Sequence, residues 1–249
     1  MMFLFGKKEQ NAADIIGCEY SKPKKGLSSE KITELYEKAL EKSQGTGTFP
    51  VIAVSGERLK EALLAGYEDA GGKEKYLRKM LDADTSGGEI FLKKRFEEEM
   101  SGCADDDEMR EGIYGDFPED LQPQKYFYSL SEDDLDDDEE LLILNVPAEK
   151  PWQIFAHIPF GGWNDCPYDE DIMSVCRLWY EKYGALPAVI HSDIIQMYLP
   201  EPVTDREEAV KIAEQQFAFC GDCVYQGVGS INALAASVIG SNVWFFWWD

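Results

Sequence analysis

Long apolar runs are missing from this chain of 249 residues, although 44% of it is hydrophobic. No stretch approaches the roughly 18 apolar residues that a membrane span requires, and the opening "MMFLF" is too short for a secretory h-region. The "IIGC" at Ile15 to Cys18 follows Lys7, Lys8, Glu9 and Asp14 instead of an apolar stretch, so it does not read as a lipoprotein cleavage site. A cytoplasmic protein that does not engage membranes is expected. Basic residues are scarce too: 24 Lys and Arg face 48 Asp and Glu, for a formal charge of −24. Such a surface repels phosphate backbones, which argues against nucleic acid as a partner and permits a basic protein. Histidine occurs only twice, at His157 and His191. No phosphate loop, Gly-x-Ser-x-Gly elbow or HExxH helix is present, and Gly161-Gly162 lacks the spacing of a dinucleotide fingerprint. No cofactor is expected.

What is present is enough apolar material for a sizeable core, punctuated by acidic runs. Residues 1–26 are polar and lysine-rich with little periodicity, and a flexible N-terminal segment is predicted there. Residues 27–124 then read as an N-terminal α/β lobe ending in an acidic linker. In it, a helix begins at Ser28 with Ile32, Leu35, Tyr36, Ala39 and Leu40 on one stripe. "FPVIAV" is a strand that runs into a helix carrying Leu59, Ala62 and Leu63. Asp82, Asp84, Ser86 and Gly87 imitate the start of a calcium-binding loop. Glu89 and Lys93 break that pattern, and Ser86 with Glu89 reads instead as a capping box for a helix over 90–100. Acidic runs at 105–108 and 131–140 read as solvated loops.

Residues 125–249 form the predicted C-terminal α+β domain. "KYFYSL", "LLILNV" and "WQIFAHI" have strand character, and Asp169, Glu170 and Asp171 open a helix that ends at Gly184. "PAVIHSDIIQMYL" holds two further strands, with Ser192 and Asp193 near a bend. Thr204 and Glu207 suggest a capping box, and a short apolar helix stops at Gly240. The closing "NVWFFWWD" has aromatic residues on both alternating faces, which predicts a strand inside the sheet. The fold class is therefore α+β: a mixed sheet with flanking helices, in two lobes, with an internal C-terminal strand.

Five motifs in order, "PFGGWNDCP", "RLWYEKYGA", "TDREEAVKIAEQQFAFC", "VYQGVGSINALAA" and "VWFFWWD", resemble the bacterial domain-of-unknown-function 4253 family. The resemblance runs from about residue 151 to 249. Cys220, Gly221 and Asp222 match a Cys-Pro-Asp of the family with glycine in place of proline. The resemblance implies no activity.

Candidate chemistry centres on the decapeptide "IPFGGWNDCP" between a predicted strand and a helix. Trp163, Asn164, Asp165 and Cys166 are the candidate ligand-binding residues, because polar side chains and a flat ring in a loop can face a ligand. Cys166 is the candidate nucleophile, since Cys-Pro at a helix start favours a thiolate, although Asp165, Asp169, Glu170 and Asp171 oppose the anion. The Cys220/Cys223 pair has a zinc-like gap that Cys166, His157 or His191 would have to complete, and without a second close pair no metal site is assigned. The leading functional expectation is a protein-binding module, conceivably one that neutralises a basic partner. The alternative is a cysteine-dependent enzyme using Cys166 in the Gly161–Pro167 loop.

Overall fold

A computed structural model describes residues 10–103, 106–120 and 123–249. Parts of the N-terminal segment and of the acidic linker lie outside the described residues. From residue 10 on, the segment expected to be flexible is structured. Helix α1 (Ala12–Ile16) starts with a capping box between Asn11 and Asp14, and strand β1 (Glu19–Ser21) follows. Ala12, Ala13 and Ile16 are buried in the main core, and the Ala12 amide donates to Ser55 Oγ at 3.0 Å. Burial of these small apolar groups holds the segment down despite its lysine-rich surroundings.

Six strands form one mixed sheet: β1, β2 (Thr48–Ser55), β3 (Glu140–Pro147), β4 (Leu186–Ile190), β5 (Ile194–Tyr198) and β6 (Val243–Trp247). Their spatial order is β1-β3-β2-β4-β5-β6. Every pairing is antiparallel except β2 with β4, where Ile52 and Ala53 run alongside Val189 and Ile190. The division expected near residue 125 therefore falls within one sheet, with β1 and β2 before it and β3 to β6 after it.

Alternation along the strands sorts side chains onto two faces. Val51 and Ala53 of β2 join a large core with Trp244 and Phe246, whereas Ile52 and Val54 join a smaller one with Val189. Covering both faces is what an unbroken apolar run such as "VIAV" demands. The large face is roofed by α3 (Glu57–Asp69), α4 (Lys73–Leu81), α5 (Gly88–Met100), α7 (Asp169–Tyr183), α8 (Arg206–Phe219) and α9 (Ile231–Val238), which all contribute to that core. Between α5 and α7 lies α6 (Asp107–Tyr114), which has no buried residue. The small face is covered by α2 (Ser29–Ser43) and by Phe127 and Leu130.

Several local expectations need correction. "KYFYSL" is not a strand. The Phe127 amide instead donates to Thr33 Oγ1 at 3.0 Å, and Tyr128 exchanges main-chain bonds with the Gln196 side chain at 2.8 and 2.9 Å. "WQIFAHI" forms a 3-10 turn, Pro151–Ala156, because Gln153 Oε1 accepts from the Glu149 and Lys150 amides. Ser86 does not cap α5; its amide donates to Asp84 Oδ1 in a local turn. Asp205, one residue beyond Thr204, caps α8.

The internal placement of the last strand is also corrected. Among the described residues β6 pairs with β5 alone and forms the edge of the sheet. Its faces are covered as its aromatics require, with Trp244, Phe246 and Trp248 in the large core and Phe245 packed edge-on to Tyr128 at 5.2 Å. The open edge is closed by thiols. Cys220 Sγ donates to Trp247 O at 3.0 Å and Cys223 Sγ to Phe245 O at 3.4 Å, so two cysteines stand where a further strand would supply amides.

Candidate functional site

The decapeptide is a tight reversal leading into α7. Gly161 is required by contact: an added Cβ would lie 1.9 Å from Pro167 O and 2.8 Å from Ile172 Cδ1. Gly162, at φ 86°, donates its amide to Pro167 O at 3.0 Å and closes the loop. Asn164 also adopts a left-handed conformation, φ 45°, which asparagine tolerates better than most residues.

One carboxylate organises the turn. Asp169, the first residue of α7, accepts the Phe160 and Gly161 amides on Oδ1 at 3.0 and 2.8 Å, and its Oδ2 lies 2.8 Å from the Tyr76 hydroxyl. That hydroxyl is also 2.8 Å from Phe155 O. A phenol has one hydrogen and faces two acceptors here. The Tyr76 hydroxyl is the donor to both, sharing its one hydrogen between Asp169 Oδ2 and Phe155 O. Burial raises the Asp169 pKa, and the amide and phenol bonds oppose that rise.

The four sequence-predicted residues divide between two sides of this turn. Trp163 is anchored by Nε1 to Phe160 O at 2.8 Å and lines an open cleft of about 570 Å³. Asn164 points elsewhere, its Nδ2 donating to the Asp249 main-chain oxygen at 2.7 Å. Asp165 is exposed, and its main-chain oxygen accepts from Arg95 of α5 at 3.2 Å. Cys166 is buried, 5% exposed, and is not part of the cleft lining. Burial, and then the nearby Cys220 and Asp169, push its thiol well above the ordinary range. The dipole argument for a thiolate thus loses to desolvation.

The opposite wall of the cleft comes from the other half of the chain. Ala62, Ala65 and Gly66 of α3, with Asp69, face Pro159, Trp163 and Tyr168, while Tyr76 and Lys79 of α4 close one end. Tyr168 is 68% exposed. Lys79 pairs with Glu170 at 2.5 Å. Sequence reasoning missed Tyr76, Asp169 and the α3 wall, since Tyr76 and Asp169 are 93 positions apart and no local pattern links them.

Both histidines lie apart from the turn's thiol in bonding terms. His191, at the bend between β4 and β5, sits between carboxylates: Nε2 is 2.7 Å from Glu139 Oε1 and Nδ1 is 3.0 Å from Asp193 Oδ1. Burial lowers its pKa, but the bonds to Asp193 and Glu139 outweigh it and leave the pKa raised. With both ring nitrogens engaged, His191 ties the chain just before β3 to this bend and has no free nitrogen to serve as a general base. His157 is shifted down by burial. Cys220 and Cys223 are free thiols, with Cys223 held protonated by its bond with Cys220 and by burial. Among the described residues no group of three or more His, Cys, Asp and Glu side chains is placed to hold a metal ion. No helix among them is long and apolar enough to cross a membrane.

These features define an α+β protein with a mixed six-stranded open sheet and a glycine-rich turn at one end of a cleft. Residues 142–249, the C-terminal part of the chain, match the family model described as Domain of unknown function (DUF4253). The match takes in all of β3 but its first two residues, β4 to β6, the turn and both edge thiols, and leaves α3 and α4 outside. Comparison with curated proteins returns no match, and comparison with solved structures returns none.

Proposed function

We propose that this chain is a cytoplasmic protein-interaction module that recognises a basic partner through the cleft between α3 and the 159–170 turn. The observation that carries the reading is Tyr168, two-thirds exposed beside Trp163 and across from Ala62, Ala65 and Gly66. Exposed aromatic faces over a floor of small residues accept the stem and head of an Arg or Lys side chain by packing and cation–π attraction. The rim carries Lys75 and Lys79 as well as Asp69 and Glu170, so local charge alone does not select a base. Selection comes from the aromatic faces and from the field of a chain with net charge −24, which steers basic partners and repels acidic ones.

A cysteine-dependent enzyme is the weaker reading. It needs a reachable, ionisable Cys166, whereas the thiol is buried and shifted upward, and His191 has committed both ring nitrogens.

Calorimetric titration with tetra-arginine and tetra-glutamate at low salt tests the proposal. The arginine peptide binds, salt weakens it, and Tyr168→Ala weakens it about tenfold, in line with a cation–π contact. Equal binding of both peptides, or an arginine affinity indifferent to Tyr168→Ala, refutes the assignment.

A further inference from the structure

A second cavity, of about 240 Å³, lies beneath β6 and is separate from the cleft. Its floor is apolar and buried: Leu234 and Val238 of α9 with Val243 and Trp244 of β6. Its rim includes Val228, 45% exposed, at the end of a π-helical turn, Cys223–Val228, in which the Gly229 amide reaches Val224 O at 2.9 Å. Such turns are rare and recur at functional sites.

Two of the lining residues carry a buried N–H with no hydrogen-bond partner among the described residues, Gln216 Nε2 and Trp244 Nε1. Gln216 is 3% exposed, and so is Trp244. Buried donors are normally paired, and each orphan calls for an explanation. Several other polar groups of the lining are occupied, among them Ser237, whose Oγ donates to Leu234 O at 2.7 Å. Cys223 donates to Phe245 O, while Asp222 accepts from Gln226 Nε2 at 2.8 Å and from the Asp249 amide at 3.1 Å. The unmet need is therefore for an acceptor.

We propose that this cavity binds a small, neutral, largely apolar molecule bearing a carbonyl oxygen, with Gln216 and Trp244 as the donors to that oxygen. Both nitrogens are closed off from the cavity surface, so binding includes a turn of the Gln216 amide and a shift of the Trp244 indole that bring the two N–H groups to it. The volume exceeds the roughly 150 Å³ cavity that admits benzene and is below the drug-sized range, so the ligand is of fragment size. Asp222 in the lining and the net charge of −24 disfavour a carboxylate at the same place.

The test uses the full chain and three probes: acetophenone, which has the carbonyl; toluene, which lacks it; and benzoate, which is charged. The readout is the Trp244 indole N–H resonance, assigned by its disappearance in Trp244→Phe. Acetophenone moves that resonance downfield and binds at least about tenfold tighter than toluene or benzoate. Gln216→Leu removes that preference for the carbonyl, and Val228→Trp, at the exposed rim, blocks all three probes. If Gln216→Leu does not fold, the Val228→Trp and toluene comparisons still decide. An indole resonance unmoved by millimolar acetophenone, or toluene binding as tightly as acetophenone, overturns the proposal and leaves at most a dry apolar cavity.

Discussion

Gly161→Ala is expected to destabilise the protein by about 3 kcal/mol, a fall in melting temperature of roughly 6 to 12 °C for a chain of this size. The reason is main chain against main chain. The new Cβ would meet Pro167 O at 1.9 Å, and neither backbone can retreat cheaply. Moving residue 161 breaks the Phe160 and Gly161 bonds to Asp169, and moving residue 167 breaks the bond from the Gly162 amide. A flexible side chain in the way would have made the cost small. Gly102→Ala serves as the control: an added Cβ there meets nothing within 4 Å, and a change within about 0.5 kcal/mol is expected. Thermal unfolding followed by circular dichroism measures both. A Gly161→Ala protein that melts within 2 °C of the parent, by the roughly 2 to 4 °C per kcal/mol scale, would show that the turn is not closed as described.

Trp179→Ala is expected to cost about 4 kcal/mol, at the upper end of large-to-small aromatic deletions. Trp179 is fully buried on α7, stacked on Phe246 with centroids 5.3 Å apart and planes 11° from parallel, and edge-on to Phe219 at 5.2 Å and Trp244 at 5.5 Å. Its indole N–H also donates to Gln215 Oε1 at 2.9 Å. Removing it opens a cavity among three aromatic neighbours, leaves the Gln215 amide oxygen without that donor, and loosens the edge strand from the helical roof. The measurements are denaturant unfolding and near-ultraviolet circular dichroism, which loses much of its tryptophan signal. A cost below about 1 kcal/mol would mean that the aromatic cluster is not the anchor of β6.

How much of this was legible in the sequence depended on whether the determining contacts are local. The strands at "FPVIAV" and "LLILNV" and the helix closing at Gly184 follow from periodicity and a left-handed cap within a few residues, whereas the short helix ends at Val238 on an extended Ile239, and the Gly240 amide bonds Val203 O instead of capping it. "WQIFAHI" misled because its alternation had no physical basis: Phe155, on the nominally polar face, is as buried as Ile154. The aromatic final strand correctly signalled two covered faces, but covering and hydrogen bonding are separate matters. Tyr128 and the helical roof supply the first, and two thiols close the edge.

The candidate site was legible in part for the same reason. The glycines locate the turn and Trp163 lies on the cleft as expected, but Cys-Pro stands ahead of the helix instead of starting it: Tyr168 is the N-cap of α7, and Cys166 lies two residues before that. The depth of Cys166 depends on how α7, α8 and β6 pack, and the facing wall depends on α3 and α4, about a hundred residues earlier. None of that is written near the turn. The acidic opening of α7 did carry a usable signal: Asp169 is the residue that holds the turn together, by bonds to its own neighbours Phe160 and Gly161.

The central claim is that the turn shows its aromatic side to solvent and keeps its thiol inside. Iodoacetamide alkylation of the native full-length chain, mapped by mass spectrometry, reads this directly. Cys166 should react at least about a hundredfold more slowly than in the urea-unfolded chain, because reaction must await opening of the structure. Alkylation of native Cys166 as fast as in urea would contradict the account, placing the thiol in the cleft and returning the enzyme reading to the front.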